Sequence, residues 1–271
     1  MAVNDRNMSF RRSRAKDLEQ LSQILLKEVG GDVTTSVLET VISKLRDKDF
    51  IPTLKDGSRD ENIWGYDIEG FKIPLETLKH IKPNDIKSGE VYLDMKLRAK
   101  IDNWKTFNDP FEELGFNVTI KGTGKQTYFF GFHIDKHIVK KENNEEKVKE
   151  TDVVSEPHPM YHLQYNLNPT KSKEPKLGDL FYIDTPRIMH KPIDFILGIS
   201  FLTSNFYPTA FEILKEVRGF RKLHDDYQDA IWKPYFHTLA NQWKPFEEGN
   251  IVWNPINDIC PAFIWEIYSD T

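Results

Sequence analysis

The chain has a single cysteine, Cys260, among its 271 residues, and a lone cysteine cannot close an internal disulfide. That argues against an oxidising, secreted setting and for the reducing cytoplasm. Long apolar runs are missing too. The longest, FILGISFL at residues 195 to 202, is far short of the roughly 20 residues needed to span a bilayer. The N-terminal MAVNDRNMSFRRSRAK is basic but has no apolar stretch behind it, so it does not read as a signal peptide. Nor is there an excess of positive charge, since 37 basic against 42 acidic residues leave a net charge of −5. Such a surface repels polyanions on average, and any phosphate or nucleic-acid site has to be a local patch. The expected partner is therefore a protein or a small molecule, not nucleic acid or a membrane.

Several catalytic signatures are also absent. The sequence contains no G-x-x-x-x-G-K-[ST] phosphate loop, no G-x-G-x-x-G fingerprint and no G-x-S-x-G elbow. Cys260 sits in ICPAFIW, an apolar context that reads as core. Trp232, Trp243, Trp253 and Trp265 gather late in the chain, where helix packing is the simpler use and a stacking platform for bases the alternative.

What is present points to a mixed α+β fold, read as one domain over residues 1 to 271. Leu18, Leu21, Leu25 and Val29 lie at helical spacing and Gly30-Gly31 supplies a stop. Asp32 is placed to cap a second helix carrying Val33, Val37, Val41 and Leu45, giving a helical hairpin over about 15 to 48. Residues 50 to 88 read as loop-rich, because Gly57, Gly65, Gly70, Pro74 and Pro83 interrupt the periodicity. Residues 91 to 101 alternate apolar and polar without exception, and FNVTI (116 to 120) and QTYFFGFHIDKHIV (126 to 139) follow across the glycine turn KGTGK. MYHLQYN (160 to 166) and DLFYIDT (179 to 185) complete an antiparallel sheet of about five strands between 91 and 185. The charged stretch 140 to 157 reads as a mobile loop, and NPTKSKEPKLG as a similar insertion. From Pro192 to about 244 the pattern is helical, predicting helices packed on one sheet face, with a kink at Pro234 and a C-terminal strand within 259 to 268.

Histidine is the unevenly placed residue: five of the eight fall between His133 and His190, where even spreading would put roughly two. On a strand, His133, Asp135 and His137 share a face opposite Phe132 and Ile134. Imidazoles flanking a carboxylate can ligate one divalent ion, with His158 or His162 from a neighbouring strand completing the set. The plainer alternative is a solvated row on the wet face of a sheet. Likewise, His162, Gln164 and Asn166 share one face of their strand, which suits either a polar ligand pocket or a cross-strand ladder. A third segment, DTPRIMHKPID, brings Arg187, His190 and Lys191 to the expected start of a helix, where unpaired N–H groups favour an anion. Asp194 competes for that role, because its own carboxylate can cap the helix.

Two functional expectations follow. One is a non-catalytic binding or accessory protein that uses the polar, histidine-rich sheet face and its charged loops. The other is a metal-assisted hydrolase acting on a phosphate-containing substrate, with a divalent ion as cofactor and Arg187 and His190 stabilising the anion.

Overall fold

Apolar periodicity alone underestimates the first helix. In the computed structural model, which describes residues 5–30, 33–76, 83–106, 108–136, 158–166, 188–241 and 265–266, α1 runs Asp5–Ile24, starting well before the leucine stripe. The reason is arginine. Arg11 is fully buried and donates to the carbonyls of Phe50 and Asp47, while the Arg14 guanidinium lies 5.2 to 5.6 Å from the ring centroids of Phe10, Trp104 and Tyr227. Long cationic side chains thus complete an apolar face that a hydropathy pattern cannot register. A π turn, Leu25–Val29, closes the helix at Gly30, whose φ of 94° suits glycine. Helix α2 spans Ser36–Arg46 with Thr35 at its N-cap, so Val33, although buried, precedes the helix expected to contain it. Asp32 lies outside the described residues.

The segment expected to be loop contains a full strand, β1 (Ile63–Pro74). Trp64, Tyr66 and Ile68 point to the core, a bulge intervenes, and Phe71 and Ile73 resume on the same side. Gly70 sits in the bulge at φ 70°, and that one-residue slip hides the alternation. Gly65 is not a breaker either. A Cβ there would stand 2.1 Å from the Leu97 carbonyl oxygen and 2.9 Å from Arg98 Cδ, so the strand requires glycine where Arg98 crosses it.

Five further strands extend the sheet: β2 (Ser88–Lys100), β3 (Phe111–Thr123), β4 (Thr127–Lys136), β6 (Tyr161–Asn166) and β7 (Ile188–Met189). All neighbours are antiparallel in the order β1-β2-β3-β4-β6-β7. Among the described residues the sheet therefore has six strands, close to the five expected, and begins at residue 63, not 91. A separate pair joins β5 (His158–Pro159) to β8 (Trp265–Glu266), inside the region expected for a C-terminal strand. The strand expected at 179 to 185, the charged loop at 140 to 157 and the insertion after Asn168 lie outside the described residues.

Among the described residues, helices cover one face of the sheet. Helix α3 (Phe195–Phe206) follows Pro192 rather than beginning at it, because Asp194 takes the N-cap and its carboxylate accepts the Leu197 N–H at 2.9 Å. Gly198 lets α3 approach the sheet so closely that a Cβ would meet the Phe116 ring at 2.4 Å. Phe201 then packs on Phe116 and Phe132, and Phe195 on Phe71. Pro208 opens α4 (Pro208–Leu214). Beyond it, α5 (Arg218–Tyr227), a π turn (Gln228–Trp232) and α6 (Lys233–Asn241) form one continuous helical run. Strict four-residue spacing drifts around an α-helix, and the wider π turn brings Tyr227, Ile231 and Tyr235 back into line, all three buried. One continuous core joins α1, α2, the inner face of the sheet and α3 to α6. Among the described residues no helix is long and apolar enough to cross a membrane.

Candidate metal centre

The opposite face of the sheet, which no helix among the described residues covers, carries His133 and His162. Strand alternation sends Phe132 and Ile134 inward and His133 and Asp135 outward on β4, while Tyr161 and Leu163 point inward and His162 and Gln164 outward on β6. Register does the rest. Asp135 is directly opposite His162, and His133 directly opposite Gln164.

These pairings bring one ligand atom each of His133, Asp135 and His162 within 4.8 Å of one another. Asp135 Oδ1 lies 3.1 Å from His162 Nε2, and Asp135 Oδ2 lies 3.8 Å from His133 Nε2. The two imidazole rings meet edge to face with centroids 5.8 Å apart. Bonds of about 2.0–2.2 Å in a tetrahedral zinc site place donor atoms roughly 3.3 Å apart, so the Asp135–His162 pair already has that separation and His133 needs only a small side-chain rotation. Although Asp135 Oδ1 is close to His162 Nε2, it is buried and has no hydrogen-bond partner among the described residues. The contact is therefore a close approach of two ligand atoms rather than a formed hydrogen bond.

Burial grades across the set. His162 is 4% exposed, whereas the His133 and Asp135 side chains are 15% and 37% exposed, so the set opens outward from a rigid base. Gly115, opposite Asp135 on β3, leaves the adjoining outer surface clear, since a Cβ there would find only the Asn117 amide, at 3.7 Å. Asn117 stands opposite His133 and adds a polar group that the sequence reading did not single out. Its outward phase in FNVTI was the available signal.

The remaining candidates fall elsewhere. His137 and Arg187 lie outside the described residues, and His158 contributes backbone pairing to Glu266 in the small sheet. His190 packs edge-on against Phe201 on the helical side, with its Nδ1 2.6 Å from the Lys191 carbonyl, and burial lowers its pKa. Lys191 extends its ammonium over the Trp232 ring, 3.5 Å from the centroid. At the start of α3, Asp194 occupies the positive end that an external anion would need. Burial pushes its carboxyl up to about 7 against the pull of the Leu197 and Ile196 N–H groups.

Comparison with protein-family models, curated proteins and solved structures gives no match. The functional reading therefore stands on the geometry alone.

Proposed function

We propose that this protein is a cytoplasmic binding protein that holds a divalent ion of the zinc class through His133, Asp135 and His162, and that its polar sheet face presents the ion to a partner or ligand. The supporting observation is a cluster of two imidazoles and one carboxylate, the one such set among the described residues, positioned by adjacent antiparallel strands. Backbone register fixes where the strands hold these side chains, so little ordering entropy remains to be lost on binding. Mixed nitrogen and oxygen donors suit zinc, iron, manganese or nickel better than calcium or magnesium.

Three protein ligands leave coordination positions for water or a substrate oxygen, which supports a second reading as a metal-assisted hydrolase of a phosphate-containing substrate. The binding role comes first because His190, one of the two residues expected to stabilise the phosphate, faces the helical layer, while the other, Arg187, lies outside the described residues.

Calorimetric titration of untagged protein with zinc tests the site. Saturable binding near one ion per chain is expected, with His162→Ala and Asp135→Ala each weakening it by about 100-fold or more. Affinity should fall on acidification, because imidazole ligates only when neutral. Absence of saturable binding, or affinities unchanged in both variants, would remove the proposal. Metal-dependent turnover of 4-nitrophenyl phosphate that is lost in the same variants would select the hydrolase.

A further inference from the structure

On the far side of the molecule the helical layer contains a cleft of about 350 Å³, within the range of roughly 300–1,000 Å³ typical of small-molecule pockets. It lies between α3, the end of α4, α5 and the π turn that follows α5. Its residues are distinct from the histidine set, which faces the other side of the sheet. Phe201, Phe211, Phe220 and Trp232 supply aromatic walls, and Lys191, Lys215 and Arg221 face a single lining carboxylate, Asp225. The chemistry is thus aromatic and cationic together.

Three observations indicate that this cleft is built to receive something. The Trp232 indole is pinned in place, its N–H donating to the Pro192 carbonyl at 2.7 Å while His224 stands edge-on to its ring, with centroids 5.9 Å apart. Lys191 sits over that fixed ring. Burial lowers its pKa with no carboxylate acting to raise it, so among the described residues the ammonium lacks a compensating negative charge. Ser200 provides the third. Along α3, Thr203 donates back to the Ile199 carbonyl at 2.7 Å and Ser204 to the Phe201 carbonyl at 3.1 Å, as buried or helical hydroxyls normally do. The Ser200 hydroxyl, on the cleft wall, is buried and makes no hydrogen bond among the described residues. A buried hydroxyl left without a partner is costly, and a ligand oxygen would supply one.

We propose that the cleft binds a small organic carboxylate whose apolar, preferably aromatic, body lies among the four rings and whose head group is held by Lys191, with Ser200 and Arg221 contributing polar contacts. A monoanion fits better than a phosphate dianion, because of the three lining cations Lys215 is paired with Glu212 and Arg221 shares the cleft with Asp225, which leaves Lys191 as the one without a carboxylate partner among the described residues. The proposal does not depend on the metal site, and loss of either leaves the other intact.

Isothermal titration of the full chain with 2-naphthoate, its neutral analogue 2-naphthamide and 1-naphthyl phosphate tests it directly. Saturable binding of one 2-naphthoate per chain is expected, at least about tenfold tighter than the amide, as one charge-assisted hydrogen bond would give. Lys191→Met, which keeps the stem over Trp232, should weaken naphthoate by about tenfold and leave the amide unchanged. Equal affinity for acid and amide in the unmodified protein would overturn the proposal even if the variant failed to fold. Absence of saturable naphthoate binding, or naphthoate binding unaffected by Lys191→Met, would overturn it as well. Tighter binding of the naphthyl phosphate would replace the carboxylate with a dianion. Zinc titration of Lys191→Met should match the unmodified protein.

Discussion

The two halves of the outer sheet face are built from similar strands and end in different chemistry. On β1 to β3 outward cations pair diagonally with carboxylates of the neighbouring strand: Lys72 with Glu90 at 2.8 Å, Arg98 with Asp67 at 2.8 Å and Lys96 with Glu113 at 2.6 Å. Arg98 goes further, donating to the Thr53, Tyr66 and Leu97 carbonyls and so stitching the preceding loop to the sheet. On β4 and β6 the same outward positions carry His133, Asp135, His162 and Gln164, with no lysine or arginine opposite Asp135. Both halves satisfy the same backbone ladder. The first half spends its side chains on cross-strand pairs, a structural use, whereas the second assembles ligand atoms around one point. A polar strand face becomes a candidate site when its groups converge without neutralising one another.

The largest effect that would test this contrast is in the structural half. Gly65→Ala places a methyl group against the Leu97 carbonyl oxygen, which cannot move without breaking the β1–β2 pairing. We expect a loss of about 4 kcal/mol or more, or failure to fold, read by urea denaturation, and a loss below about 1 kcal/mol would show that the strand has room there. In the histidine half, His133→Ala should change urea stability in metal-free protein by less than about 2 kcal/mol while weakening the zinc-induced rise in melting temperature.

Two pH responses also need to be kept apart. Asp194 has a folded pKa of about 7, raised above its ordinary carboxylate value by burial. The neutral form is therefore favoured in the fold, so its contribution is complete below the unfolded pKa near 4 and is lost as pH rises toward and through about 7. The difference amounts to as much as about 4 kcal/mol. Burial pushes Asp17 and Asp109 in the same direction, so the contrast between the unmodified protein and Asp194→Asn isolates the cap. Denaturation at pH 5 and pH 8 should show a smaller decline in the variant, and parallel declines would remove Asp194 as the cause. Metal-linked stability runs the other way, weakening as pH falls, so zinc-loaded and metal-free protein should diverge most on the alkaline side. The smallest effect belongs to the exposed pair. Lys72→Met should cost less than about 1 kcal/mol, because Lys72 and Glu90 are each about a third exposed and solvent screens them.

The amino-acid pattern by itself determined the α+β class, strands β2, β3, β4 and β6, the outward phase of His133, Asp135 and His162, and the stop at Gly30. Each of these follows from local period or from the conformational range of one residue, which neighbours in sequence are enough to reveal. Strand β1 was not legible because its bulge shifts the alternation and its Gly65 answers to Arg98 on another strand. The start of α1 was hidden for a related reason, since Arg11 and Arg14 are buried by partners 36 or more residues away, Phe50, Asp47 and the rings of Trp104 and Tyr227. Long-range packing alone sets Asp135 opposite His162, turns His190 and Lys191 toward the helices, and brings Lys191 to the same cleft as the Ser200 hydroxyl, which has no hydrogen-bond partner among the described residues. Register and packing are long-range quantities: a shift of one residue in the β4–β6 pairing would put His162 out of line with Asp135 while leaving every local pattern unchanged.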